Sequence, residues 1–274
     1  MPAFAGIFFI CIRKLFQSWS EIGSMAELAI IGGSGLTRLD VLQETGRQAV
    51  ETPFGEPSAP LMLGYFDGHK IIFLPRHGDQ HTIPPHKVNY RANIWALKQL
   101  GAKRIVGIAA VGGISPESKP GTISVPDQII DYTSGRQHTY FEEDLAHVTH
   151  IDFTHPYCEE LRGQLIAAAS AAGVAVSIGG TYGATQGPRL ETAMEINRMA
   201  RDGCDLVGMT GMPEAALARE LEVCYACCSV VANWAAGRGG AGPITMQEIE
   251  KNLGAGMEGV IRLLSSLVAD IAVD

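Results

Sequence analysis

From residue 28 onward, short apolar runs alternate with longer stretches in which apolar positions recur every three or four residues. The short runs are too brief for helices and rich in Ile and Val. They predict strands over 28–31, 61–65, 71–75, 104–110, 123–126, 175–179, 205–208 and 223–232. The longer, helically periodic stretches predict helices over 88–100, 158–172, 192–200, 213–220 and 245–268. Residues 105–111 are almost continuously apolar, as expected of a strand covered on both faces. This alternation, with no repeat or interdomain linker, predicts a single α/β domain built on a mixed sheet.

Residues 1–24 do not share the pattern. An apolar run at 3–12 is followed, not preceded, by the basic residues Arg13 and Lys14. That order is wrong for a secretory signal, and the run falls short of the ~20 residues that span a bilayer. Met25 directly precedes the first predicted strand, so the fold is expected to occupy 25–274. The leader reads as a start-site artefact, with a membrane-association segment as the alternative.

The 274 residues are 46% hydrophobic and 18% charged, enough apolar matter for a sizeable core. The net charge of −8 and the lack of Lys/Arg runs argue against a nucleic-acid or membrane partner, since such surfaces reward many basic contacts. A small anion needs only a few local donors. The six cysteines (11, 158, 204, 224, 227 and 228) form no disulfide-framework pattern. Cys224 and Cys227 make one CxxC, but neither a second CxxC nor a His pair accompanies it. Buried, inert thiols in a reducing cytoplasmic compartment are the preferred reading. His, Asp and Glu show no ligand spacing, so no metal is expected.

Three strand ends carry candidate chemistry. Ile30–Leu36 reads IIGGSGL, a strand running into a glycine turn with Ser34 as a hydroxyl donor. It is not a dinucleotide fingerprint, because Arg38 breaks GxGxxG, and no Walker A motif is present. Alone, it reads equally as a tight turn. Arg76 and His77 end the next strand before Gly78, and Arg offers a planar fork suited to phosphate. Alone, they read as surface loop charges. Gly112 and Gly113 are expected to close a third strand, leaving bare backbone amides. Together the three ends describe one anion site beyond the carboxyl ends of a sheet.

Seven motifs then occur in order: GGSGL (32–36), TPFG (52–55), PRHGDQH (75–81), KVNYRANIWAL (87–97), AAVGGI (109–114), QGPR (186–189) and GMTGMPE (208–214). The set resembles the trimeric purine nucleoside phosphorylase and methylthioadenosine phosphorylase family, from about residue 29 to 264. The resemblance implies a barrel-like mixed sheet ringed by helices, a homotrimer, and phosphorolysis of a purine (thio)nucleoside. Inorganic phosphate would be a co-substrate, and no cofactor is implied. By the same resemblance, phosphate is held by Ser34, Arg76, His77, the amide at Ala110 and Thr210, while Met209 packs on the ribose. Ala109 stands where methylthioadenosine-type members have a Thr. His150 is the nearest match to the residue that lids the neighbouring subunit's sugar pocket.

Substrate choice follows from departures within the family. Adenosine-type members carry two Asp residues where this chain has Asn233 and Ala235. Glu191, with Leu190 beside it at the substrate, matches 6-oxopurine members, whereas adenosine members have a Ser. An amide can donate to a C6 carbonyl and accept a proton from N7, and a carboxylate can accept the N1–H that adenine lacks. Inosine-type members place a His on the last helix for the 5′-hydroxyl; here Met246 occupies that position, with Ile249 one turn later. An apolar wall leaves a hydroxyl unsatisfied and suits a methylthio group. The leading expectation is phosphorolysis of S-methyl-5′-thioinosine, with Asn233 and Glu191 acting on the base. Methylthioadenosine or inosine/guanosine phosphorolysis, and a catalytically silent nucleoside-binding protein, are the alternatives.

Overall fold

The apolar run at 105–111 lies inside β5 (Arg104–Gly113), the strand around which the molecule is organised. The computed structural model describes residues 26–36, 41–143, 145, 147–240 and 242–271, so the expectation for the leader and Met25 lies outside the described residues. One edge of β5 is shared. β1 (Leu28–Gly32) runs parallel to its first half, from Leu28↔Arg104 to Ile31↔Gly107. β10 (Leu206–Gly208) runs antiparallel to its end, through Val207↔Gly112 and Leu206↔Gly113. The other edge pairs along its length with β11 (Cys224–Trp234), also parallel.

The remaining strands are β2 (Gln43–Gln48), β3 (Leu61–Phe66), β4 (His69–Pro75), β6 (Ile123–Val125), β7 (Gln128–Asp131), β8 (Val176–Ile178) and β9 (Thr181–Ala184). They complete a mixed sheet in the order β2-β3-β4-β1-β5-β10-β9-β7, with a branch in which β11 pairs β6 and β6 pairs β8. Helices α1 (Tyr90–Gln99) and α4 (Gly211–Glu220) cover one face; α2 (Glu159–Ala171) and α5 (Met246–Ile271) cover the other. Alternation along β11 serves both layers. Tyr225, Cys227 and Val231 join the first core, and Ala226, Cys228 and Val230 the second. Helix α3 (Ala193–Arg201) begins with a reciprocal capping box between Thr192 and Glu195. Among the described residues, no helix is long and apolar enough to cross a membrane.

Three differences from the sequence reading stand out. β2, β7 and β9 were not anticipated. β2, with its sequence QETGRQ and mostly exposed residues, is an edge strand without an apolar face to betray it. The pair Gly112–Gly113 does not close β5 but continues it, because β10 docks against those two residues. A Cβ on Gly113 would stand 1.8 Å from the Ser118 carbonyl oxygen, which explains the residue without a turn. Finally, Cys158 and Cys224 form a disulfide, correcting the expectation of inert thiols at both. Cys158 caps α2, and its N–H donates to the Tyr225 carbonyl at 2.8 Å, which brings it beside the start of β11. A bridge across 66 positions leaves no trace in local spacing. Cys204, Cys227 and Cys228 are free and buried, and burial raises all three thiol pKa values.

Candidate functional site

Between the end of β1 and the start of β10, no strand among the described residues pairs with residues 108–111 on that edge of β5. A cavity of about 770 Å³ opens there. It is lined by Ser34, Arg76, His77, Ala110 and Thr210 at one end, and by Glu191, Asn233 and Ala235 at the other. Ala109, Met209, Leu190, Met246 and Ile249 also line it, so every predicted site residue converges there except His150. His150 is exposed and lies outside this cavity of its own chain.

The basic end is rigid. β1 stops at Gly32, and its carbonyl accepts from the Arg76 N–H at 2.9 Å. A Cβ on Gly33 would lie 2.7 Å from both Arg76 Nη1 and the Ile108 carbonyl oxygen, so the turn approaches the guanidinium only as glycine. Arg76 is 1% exposed. Its Nε and Nη2 donate to the two Glu214 carboxylate oxygens (2.9 Å for Nη2–Oε2), and Nη1 donates to Ile108 O at 2.8 Å. Glu214 also accepts from the Tyr225 hydroxyl at 2.9 Å. Burial works hardest against the charge on Arg76. The Glu214 carboxylate, with help from Tyr225 and Tyr90, outweighs it and holds the guanidinium pKa above its ordinary value. Two of its five N–H groups remain for a ligand.

His77 donates from Nδ1 to the Ile83 carbonyl at 2.8 Å, which leaves Nε2 as an acceptor on the neutral ring. Burial, followed by the Arg76 charge, pushes its pKa down to about 4. His81 adds a second imidazole, 4.7 Å from the His77 ring and 3.3 Å from Ser34 Oγ. Thr210 is buried at the start of α4, and its hydroxyl takes no part in capping.

The opposite end depends on a bulge. Val231 pairs with Val111 and Asn233 with Gly112, so Ala232 is an extra residue that bends β11 and sets Asn233 at the cavity. The Asn233 amide donates to the Trp234 carbonyl at 2.7 Å, which leaves Oδ1 and one N–H for a ligand. Glu191 comes from the loop before α3 and accepts a 2.6 Å hydrogen bond from the buried Thr185 hydroxyl. Gly187, at φ +61, lets this loop close on Met209, whose sulfur would be 2.4 Å from a Cβ there.

The apolar wall differs in detail from expectation. Met246 is 66% exposed at the rim, because α5 begins there, whereas Ile249 and the buried Leu253 form the wall proper. Sequence reasoning missed His81, Thr185, Glu214 and Leu253. His81 and Glu214 stood inside quoted motifs, but nothing local marked Glu214 as the partner of Arg76. The arrangement offers an anion donor set on one side. On the other it offers an amide and a carboxylate suited to a planar heterocycle, with an apolar flank.

The family model described as "Phosphorylase superfamily" matches residues 27–269. A protein of Xanthomonas campestris pv. campestris named "Probable S-methyl-5'-thioinosine phosphorylase" is 54% identical over 240 residues, spanning 88% of this chain and 96% of its own. The "6-oxopurine nucleoside phosphorylase" of Pyrococcus furiosus is 45% identical over 250 residues, spanning 89% and 92%. Among solved structures, the methylthioadenosine phosphorylase of Schistosoma mansoni in complex with adenine superposes with a TM-score of 0.86 at 32% identity, covering 91% and 93%.

Proposed function

Since the chain belongs to the phosphorylase superfamily, we propose that it is a purine nucleoside phosphorylase acting on S-methyl-5′-thioinosine, releasing hypoxanthine and 5-methylthioribose 1-phosphate. One observation carries this reading. Glu191 and Asn233, whose side chains suit a 6-oxopurine edge, line one cavity together with Ser34, Arg76, His77 and Thr210. The names of the Xanthomonas and Pyrococcus relatives agree with both halves of that statement.

In this reading, Arg76, Ser34, Thr210 and the Ala110 amide hold phosphate below the ribose, and His77 Nε2 accepts a proton-bearing phosphate oxygen. As the C1′–N9 bond breaks, its electron pair passes to the purine and a phosphate oxygen bonds to C1′; N7 takes up a proton from solvent, and the sugar phosphate releases to solvent the one the phosphate carried. Asn233 Oδ1 receives the N7 proton as a hydrogen bond, the remaining amide N–H meets O6, and Glu191 accepts from N1–H. The enzyme contributes position and preorganised charge, and no covalent enzyme intermediate is needed. Ile249 and Leu253 face the methylthio group, with Met246 at the rim. We further read the assembly as a homotrimer in which His150 reaches a neighbouring cavity. Its exposure, and that of Val148 at 72%, support a covered position in an assembly.

The test is phosphate-dependent base release from methylthioinosine, methylthioadenosine and inosine. Fastest hypoxanthine release from methylthioinosine is expected. Dominant adenine release would overturn the roles of Asn233 and Glu191, and preference for inosine would overturn the apolar-wall argument.

A further inference from the structure

Arg136 lies after β7, outside every motif quoted above, yet all three of its guanidinium nitrogens are engaged. Nη1 donates to the Met209 carbonyl at 2.8 Å and the Met212 carbonyl at 2.6 Å, with the Tyr90 hydroxyl at 3.2 Å. Nη2 donates to the carbonyls of Thr185 at 3.1 Å and Gln186 at 2.9 Å, and Nε to Gln186 Oε1 at 3.1 Å. The Tyr90 ring lies under it, 5.3 Å from the guanidinium carbon to the ring centroid. None of these partners is a carboxylate. The cation is received by backbone carbonyls.

Those carbonyls belong to the two arms of the cavity. Thr185 and Gln186 leave the end of β9, and the Thr185 hydroxyl holds Glu191. Met209 to Met212 leave the end of β10 and carry Thr210. The ladder between the two strands runs from Leu206↔Tyr182 to Gly208↔Ala184. One further bond, from Thr185 N to Gly208 O at 2.8 Å, ends it. Beyond that point the Thr210 N–H still donates to the Tyr182 hydroxyl at 3.3 Å, but among the described residues the carbonyls of the two arms face no donor shared between them except Arg136. Arg136 continues the cross-link where the ladder stops. A planar fork of five donors can serve both arms at once; an ammonium with three donors on a point cannot.

We infer that Arg136 is a positioning residue that fixes the spacing between the Glu191 arm and the Thr210 arm, and with it the register of base and phosphate. The inference rests on the phosphorolysis reading. Each arm keeps its own contacts if the clamp is weakened, so each ligand alone still binds. What is lost is the alignment of both in one complex, and misplacement by about 1 Å costs on the order of a hundredfold in rate.

The test is R136K, which keeps the charge and the aliphatic stem but not the fork. The readouts are kcat and KM for methylthioinosine phosphorolysis, and calorimetric Kd values for hypoxanthine alone and inorganic phosphate alone. The expected result is a fall in kcat of about tenfold or more, with each binary Kd within about threefold of wild type. Unchanged kcat would overturn the inference. So would equal weakening of both binary Kd values, which marks general damage to the cavity. If R136K does not fold, R136Q is read by the same criteria. No phosphate-dependent cleavage by the wild-type enzyme would overturn the functional reading itself, and that result is distinct from an active wild type with an unaffected variant.

Discussion

Arg76 and Glu214, 138 positions apart, meet as a two-pronged ion pair in which neither side chain reaches solvent. Taking one partner away leaves a buried charge uncompensated, which costs about 3–5 kcal/mol. The variant E214Q is therefore expected to lose roughly that much stability in urea titration. The phosphate KM should rise as well, since the guanidinium loses the contacts that aim it. An unchanged midpoint would show that the pair is not what holds Arg76.

The Thr185 hydroxyl touches Glu191 but does not line the cavity. T185V removes that bond, and the longer 3.2 Å contact to the Gly208 carbonyl, at nearly constant volume. Hypoxanthine binding should weaken by about three- to tenfold, the worth of one ordinary hydrogen bond of about 1 kcal/mol, since Thr185 acts on the base only through Glu191. Purines without an N1–H should bind as before. Equal weakening for both kinds of base would reassign Thr185 to general packing.

Asn233 offers an amide where a carboxylate would repel a C6 carbonyl. N233D should lower kcat/KM for methylthioinosine relative to methylthioadenosine by about tenfold or more, because the mismatched base leaves buried polar groups unpaired. Competition between the two nucleosides in one reaction, with both bases quantified, measures the ratio directly.

The His77 ring titrates near pH 4 in the folded protein, against an ordinary 6.5. The unfolded chain therefore takes up its proton first as pH falls. Stability contributed by the neutral, buried ring is complete above about pH 6.5 and is lost progressively toward pH 4, by about 3 kcal/mol at most. H77N should flatten the stability profile in that window. Phosphate binding at pH 8 should take up almost no protons, because the monohydrogen phosphate that prevails there already carries the one His77 Nε2 accepts. Calorimetry in buffers of different ionisation enthalpy checks this, and an uptake near one proton, which would mean a charged imidazole, would sink the proposed contact.

How legible the molecule was in its sequence differs by element. The buried strands announced themselves through continuous apolar runs, and α5 through its period. The anion-binding residues were readable because two strand ends carried Ser34, Arg76 and His77 within short glycine-punctuated segments. The base end was readable only by likeness, since neither Asn233 nor Glu191 has a local signature beyond a strand end and a first-turn acid. The bulge at Ala232 that presents Asn233 depends on pairing with β5, not on its own sequence. Glu214, Thr185 and the partner of Cys158 act across the fold, where one-dimensional spacing carries no signal. Met246 lines the cavity with Ile249 but is far more exposed, a difference that a helical position read from sequence does not carry.

The interval on β5 between its pairing with β1 and its pairing with β10 has a consequence for how this protein can diverge. The side chains proposed to choose the base and the 5′ group line the cavity at that interval from loops, a bulge and the first turns of a helix. Exchanging Glu191 or Ile249 breaks no strand-to-strand ladder, and at Asn233 the side chain can change while the main chain keeps its register. Substrate preference can thus drift by single substitutions while the scaffold holds.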